Sequence, residues 1–245
     1  MTINLMRTVA LSAKLPQGDV VFQTFDSKEG PARAKTILEG NAYPRLSILS
    51  DVKTIVDVGA NVGAASVFFA LQYPNADIYA FEPFSNAYQL LETNTTTFPK
   101  VQKFQYGLLD REKRSPIFLN KLDPALNSVS RGAAAAHDTE EITLKSADSV
   151  FSELHLNDID ILKIDTVGCE VPILKSLKPW LARTRVIYLE YRDDNDRRRL
   201  DSILADTHIL VRANIVHPHR GELCFARASD LNVDSWRVTD PTLNA

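Results

Sequence analysis

The chain has 245 residues, 44% of them hydrophobic and 24% charged, and its 28 basic and 31 acidic side chains leave a formal charge of −3. That length suits one or two domains with a core that needs no disulfide or metal staples, and the composition excludes a disordered chain. The charge balance offers no broad basic surface for nonspecific nucleic-acid binding, and two cysteines, Cys169 and Cys224, exclude a disulfide framework and point to a reduced, cytosolic compartment.

Residues 1–50 read as an N-terminal extension of the same domain that covers its pocket. Arg7 is followed by only Val9-Ala10-Leu11 before Lys14, too short an apolar run for a signal peptide. Asp19 to Phe25 is a strand candidate and Ala32 to Leu38 a helix candidate. From residue 51 to 245 the main domain begins with a first core strand, Lys53 to Val58, and a helix, Ala64 to Tyr73. Val58 to Ala76 carries no charge over 19 residues, but Gly59, Asn61, Gly63, Gln72 and Pro74 suit a turn and a buried helix rather than a membrane span. A second strand, Asp77 to Glu82, a helix, Asn86 to Thr97, and a third strand, Val101 to Tyr106, follow. Residues 109–145 form an insertion longer than a normal crossover, which is usually functional or mobile. It holds strand candidates Pro116 to Leu119 and Glu141 to Lys145 around a polar loop with Asn127-Ser128 and Arg131-Gly132. Asp160 to Asp165 and Arg185 to Glu190 are two further strands, and His208 to Arg212 with Glu222 to Arg227 form a closing antiparallel pair. This alternation is the pattern of an α/β protein with a mostly parallel sheet.

The nine glycines are scarce enough for each position to be informative. Gly59 and Gly63 lie in the turn after the first strand, Gly107 follows the third and Gly168 the fourth, where open α/β sheets bind ligands. Glu82 ends the second strand, placed to accept hydrogen bonds from both hydroxyls of a ribose. A dinucleotide fingerprint counted from Gly59 wants glycine at 61 and 64, where this chain has Asn61 and Ala64. G-x-N-x-G with a following acidic strand end suits S-adenosylmethionine, which has a ribose and an adenine but no phosphate. A nucleotide-dependent oxidoreductase on a related fold and a noncatalytic adenosylmethionine-binding module stay open as alternatives.

Val56-Asp-Val-Gly-Ala-Asn-Val-Gly63, Ala80-Phe-Glu-Pro83 and Ile159-Asp-Ile-Leu-Lys-Ile-Asp-Thr-Val-Gly-Cys-Glu170 together resemble the FkbM family of S-adenosylmethionine-dependent methyltransferases. The resemblance covers about residues 35–213 and includes Glu39-Gly-Asn-Ala-Tyr43. The family writes the third block close to I-D-L-L-K-I-D-V-E-G-A-E. Asp160, Lys163, Asp165, Gly168 and Glu170 match it, while Val167 stands where the family usually has glutamate and removes one acidic group from the site. The resemblance implies a Rossmann-like class I methyltransferase fold, a mostly parallel seven-stranded sheet with helices on both faces. It also implies O-methylation of a hydroxyl on a sugar, polyketide or other natural product, a small-molecule acceptor, while the charge balance and the polar residues of 58–76 speak against a nucleic-acid or membrane partner.

On this reading Asp57, Gly59, Ala60, Asn61, Gly63, Glu82, Pro83, Gly107 and Leu108 bind the cofactor. Asp57 either approaches the methionine ammonium or serves a structural hydrogen bond; Gly107 and Leu108 line the adenine side. Asp165 and Glu170 are the catalytic candidates, because a hydroxyl acceptor needs a proton sink. For Glu170 the competing role is helix N-terminal charge. His137 and His155 are further candidate bases if the insertion folds over the pocket. Asp193-Asp194-Asn195 could join Asp165 around Mg²⁺, but reads better as the cap of the helix carrying Arg197-Arg-Arg199, so no metal site is assigned. His217 and His219 read as a surface turn, and Cys169 as a small buried residue rather than a nucleophile. No D/N-P-P-Y/F box follows the fourth strand, which disfavours DNA amino-methylation.

Overall fold

The structure, a computed structural model, describes residues 7–15, 18–118, 139–217 and 219–231. Strands β1 (Thr8–Leu15) and β2 (Gly18–Phe25) pair antiparallel and lead to helix α1 (Gly30–Leu38). The core then alternates β3 (Thr54–Val58), α2 (Ala64–Gln72), β4 (Asp77–Phe81), α3 (Ser85–Asn94) and β5 (Val101–Phe104). Strands β6 (Gly107–Leu109), β7 (Lys113–Phe118) and β8 (Thr139–Ser146) precede α4 (Ala147–Glu153) and β9 (Ile159–Ile164). Helices α5 (Glu170–Ser176) and α6 (Lys178–Leu181), β10 (Thr184–Tyr191), α7 (Asp194–Leu204), β11 (His208–His217) and β12 (Arg220–Arg227) complete the order.

Seven strands form the main sheet in the order β11-β12-β10-β9-β3-β4-β5. The pairs β3–β4, β4–β5, β3–β9 and β9–β10 are parallel, and β12 runs antiparallel to both neighbours, so it alone opposes the other six. The chain builds outward from β3 to β4 and β5, then returns to the other side of β3 with β9. That reversal opens a crevice at the carboxyl ends of β3 and β9, where ligands bind in such sheets. Apolar residues on both faces of β3 and β9, among them Ile55, Val56, Val58, Ile161, Leu162 and Ile164, are buried, as parallel strands covered on both sides require. Helix α2 packs against α1 and α3, and α5 against α4 and α7. The fold is therefore the Rossmann-like α/β arrangement expected from the alternation.

Three details differ from the strand-by-strand expectation, the first being β1, Thr8–Leu15, which is not among the strands expected from the sequence. The third core strand ends at Phe104, and Gly107 opens a second, three-stranded sheet in the order β6-β8-β7. Gly107 pairs with Leu144, so the insertion returns beside the strand it leaves and its ends are fastened at the sheet rim. The β7–β8 pair contains the expected Pro116 and Glu141 segments; Leu119, the polar loop and His137 lie outside the described residues. The edge strand β11 is also longer than expected, reaching His217. Among the described residues no helix is long and apolar enough to cross a membrane.

The segment before β3 is tied down by aromatics. Tyr43 packs against Phe69 of α2 and Tyr188 of β10 at centroid distances of 5.4 and 5.3 Å, and the Tyr188 hydroxyl donates to the Pro44 carbonyl at 2.6 Å. Phe69 is 1% exposed at the centre of this cluster. Phe69→Ala is expected to cost about 3–5 kcal/mol of stability through lost transfer energy and a residual cavity. Urea unfolding checks this: the midpoint should fall while the slope stays constant.

Candidate active site

At the tip of β3 the chain turns through Gly59 with φ +75°. A Cβ there would lie 2.0 Å from the main-chain oxygen of Asp165, so only glycine allows the β3 and β9 tips to approach this closely. The N–H groups of Gly59 and Ala60 both donate to the Phe81 carbonyl at 3.0 Å, locking the turn to β4. Beneath it, Lys163 Nζ donates to the Gly59 carbonyl at 2.6 Å and lies 2.8 Å from Asp57 Oδ1. Ser66 Oγ donates to Asp57 Oδ2 at 2.6 Å, while Oδ1 accepts no hydrogen bond and is balanced by the Lys163 charge. Both charged side chains are buried, so each depends on the other to avoid an uncompensated charge.

Glu82 follows β4 and is 7% exposed. Its Oε2 accepts from the Asn61 N–H and its Oε1 from the Phe84 N–H, both at 2.8 Å. These bonds orient the carboxylate and leave further lone pairs on both oxygens. Burial pushes the carboxyl up to about 7 against the opposing pull of the two N–H groups and Lys163. Glu82 faces a cleft of about 150 Å³ that also touches Ala60, Asn61, Pro83, Gly107 and Leu108. Phe84, Leu108, Ile142 and Leu144 give this end an apolar lining, the last two supplied by β8.

The opposite end of the cleft is charged. Asp165, the residue after β9, has Oδ2 2.7 Å from Arg33 Nη2 of α1. Burial alone would raise its carboxyl, but the Arg33 and Lys163 charges hold it below the usual carboxylate range. Behind it, in an adjoining smaller cavity that Asp165 also lines, Glu190 of β10 lies 2.9 Å from Arg192 and 3.0 Å from Arg220. Burial and then the Asp165 charge push Glu190 up to about 7. Within this coupled pair the Arg33 charge holds Asp165 ionised, and a shared proton favours Glu190.

The remaining candidates from the sequence are placed elsewhere. Asp57 is enclosed beneath the turn and does not line the cleft, and Gly63 caps α2 with φ +89°. Glu170 is also turned away: it accepts from the Thr166 N–H and Gly168 N–H, both at 2.9 Å, and from the Thr166 hydroxyl at 3.1 Å. Its carboxylate braces the loop in which Val167, with φ +53°, and Gly168, with φ +99°, take left-handed conformations. His155 borders a separate pocket with Trp180 and Arg183, beside the amino ends of β9 and β10 and so at the sheet edge away from the cleft. Cys169 does line the cleft, but burial pushes its thiol up to about 12, which removes thiolate character. Asp193 caps α7 by accepting from the Asn195 N–H, and Asp194 pairs with Arg197 and Arg198. Arg33, Tyr43, Lys163, Glu190, Arg192 and Arg220 carried no assigned role from the sequence. Only Lys163 had a signal, as a cation among the apolar residues Ile161, Leu162 and Ile164 of its strand.

Residues 57–216 match the family described as Methyltransferase FkbM domain. The AMB antimetabolite synthetase AmbE of Pseudomonas aeruginosa is 29% identical over 191 residues, covering 61% of this chain and 9% of that protein. The 2-O-methyltransferase NoeI of Sinorhizobium fredii is 26% identical over 153 residues, covering 57% of this chain and 63% of that protein. The chain thus spans less than two thirds of the length of either relative. The fibrillarin pre-rRNA processing protein of Methanococcus jannaschii superposes with a TM-score of 0.52 at 9% identity, covering 92% of this chain and 91% of that one, a likeness of fold alone.

The ion pair under the turn makes a direct prediction. Lys163→Met leaves Asp57 buried and unpaired, at an expected cost of about 3–5 kcal/mol. Adding Asp57→Asn should recover most of that loss in a double-mutant cycle by urea denaturation.

Proposed function

The chain belongs to the FkbM methyltransferase family, and we propose that it transfers a methyl group from S-adenosylmethionine to a hydroxyl of a small-molecule natural product or sugar. The observation that carries this reading is the cleft's two-ended character, with a fixed carboxylate at one end and a carboxyl pair at the other. The residues present fit the cofactor: Glu82 has lone pairs for two ribose hydroxyls, and the slot of Phe84, Leu108, Ile142 and Leu144 suits an adenine ring. Nothing in the Gly59-Ala60-Asn61 turn calls for a phosphate, and Asn61 stands where a pyrophosphate would need glycine. When bound, the cofactor supplies a sulfonium-activated methyl group that needs only an aligned nucleophile.

In this account Gly59, Ala60 and Asn61 form the turn against the cofactor, Glu82 holds its ribose, and Pro83, Gly107 and Leu108 border the adenine. Asp165, held ionised by Arg33, faces the acceptor hydroxyl and fixes its orientation, and alignment supplies much of the acceleration in such displacements. The hydroxyl proton passes to the Asp165–Glu190 pair, whose second member takes it up near neutral pH. Glu170 is a positioning residue that holds the loop after Asp165. Residues 1–50 serve as the pocket cover through Phe25, Arg33 and Tyr43, and the 109–145 insertion contributes Ile142 and Leu144. Oxygen as the acceptor atom is supported by the name of NoeI, a 2-O-methyltransferase.

Titration calorimetry with S-adenosylhomocysteine tests the cofactor assignment. Glu82→Ala should weaken binding by about tenfold or more, since it removes hydrogen bonds to a charged group; no binding by the native chain, or unchanged affinity in the variant, contradicts the reading. Once an acceptor is in hand, the base assignment predicts a pH dependence. Glu190 must be deprotonated to accept a proton, so the rate should fall as pH drops below about 7 and level off above it. Glu190→Gln should remove that limb of the profile.

A further inference from the structure

The charged end of the cleft carries more cationic donors than its own carboxylates require. Arg33 comes from α1, Arg192 directly follows β10 and Arg220 opens β12; all three line the cleft. Their side chains are 31%, 26% and 32% exposed, so each is neither fully buried in its ion pair nor free in solvent. Asp165 engages Arg33, and Glu190 engages both Arg192, through Nη2 and Nε at 2.9 Å, and Arg220, through Nη2 at 3.0 Å and Nε at 3.1 Å. With Arg212 and Glu222 of the adjoining cavity included, four guanidiniums stand against three carboxylates, Asp165, Glu190 and Glu222, and each guanidinium has five N–H donors. The other charges along the cleft have their own partners: Lys163 has Asp57, and Glu82 has two backbone N–H groups. Glu29 lies exposed on the rim.

We propose that Arg192 and Arg220, with Arg33 beside them, form a subsite for an oxyanion on the acceptor, a carboxylate or a phosphate, which seats the reacting hydroxyl next to Asp165. Planar guanidiniums converging from three separate elements match the geometry of such groups, and a partly dry cleft strengthens the attraction. The subsite rests on the reading of this cleft as a methyl-transfer site, and it narrows the acceptor from any hydroxyl compound to an acidic one.

The test uses the full chain loaded with S-adenosylhomocysteine, titrated in separate arms with inorganic phosphate, benzoate and neutral benzamide. Saturable binding of phosphate or benzoate, absent with benzamide, is expected, and the arm that responds assigns a phosphorylated or a carboxylic acceptor. Arg192→Met and Arg220→Met should each weaken that binding by about tenfold or more while keeping native affinity for S-adenosylhomocysteine. Should Arg192→Met fail to fold with Glu190 left to Arg220, Arg192→Lys keeps the charge, loses the fork and should still weaken oxyanion binding. Absence of oxyanion binding to the loaded chain, or unchanged binding in the variants, overturns the subsite while leaving the methyl-transfer reading intact. Loss of S-adenosylhomocysteine affinity in folded arginine variants also overturns it, because the arginines would then serve the cofactor's own carboxylate. Failure of the native chain to bind S-adenosylhomocysteine overturns the methyl-transfer reading itself.

Discussion

The buried ion pair of Asp57 and Lys163 joins the two strands between which the sheet reverses its order. Their side chains meet 2.8 Å apart beneath the glycine turn, and the same ammonium holds the Gly59 carbonyl at 2.6 Å. With the two charges removed from water, neither strand can move at this point without exposing one of them unpaired. Gly59, for its part, tolerates no side chain because the backbone of Asp165 lies directly against it. The pair below and the glycine above therefore fix the spacing between the tips of β3 and β9, and every group in the cleft takes its position from that spacing.

From this fixed point the cleft acquires two unlike ends. Toward β4 and β5 its one carboxylate, Glu82, is oriented by main-chain N–H groups and surrounded by apolar side chains from α3, β6 and β8. Toward β10 and β12 it meets Asp165, Glu190 and three arginines, where charges tune one another across short distances. One end suits a neutral, flat group with hydroxyls, and the other suits proton transfer and a charged group. On the proposed function such a cleft would align cofactor and acceptor tip to tip, as an in-line displacement requires.

The parts legible in the sequence are those whose causes are local. Apolar strands ending in glycine or a carboxylate, helices at 3.6-residue spacing and the Gly59–Gly63 turn all announce themselves within a few residues, and the structure has them in the expected order. Asp57 and Glu170 show the limit of that reading. Each sits at the right strand tip or helix start, but which way its carboxylate turns depends on Lys163 and on the Thr166–Gly168 loop. Arg33, Arg192 and Arg220 mark a further limit. They are ordinary basic residues on three distant segments, brought together by the approach of α1 to the β9 tip and by the pairing of β12 with β10. Val167 was visible as a departure from the family's glutamate, but its left-handed conformation, unusual for a β-branched residue, is a property of the folded loop.

A crystal structure of the chain grown with S-adenosylhomocysteine tests the central claim most directly. The account predicts the ribose hydroxyls on the Glu82 carboxylate, the adenine between Phe84 and Leu108, and the sulfur directed toward Asp165. A ligand lying with its ribose away from Glu82, or with its sulfur remote from the Asp165 end of the cleft, would contradict it.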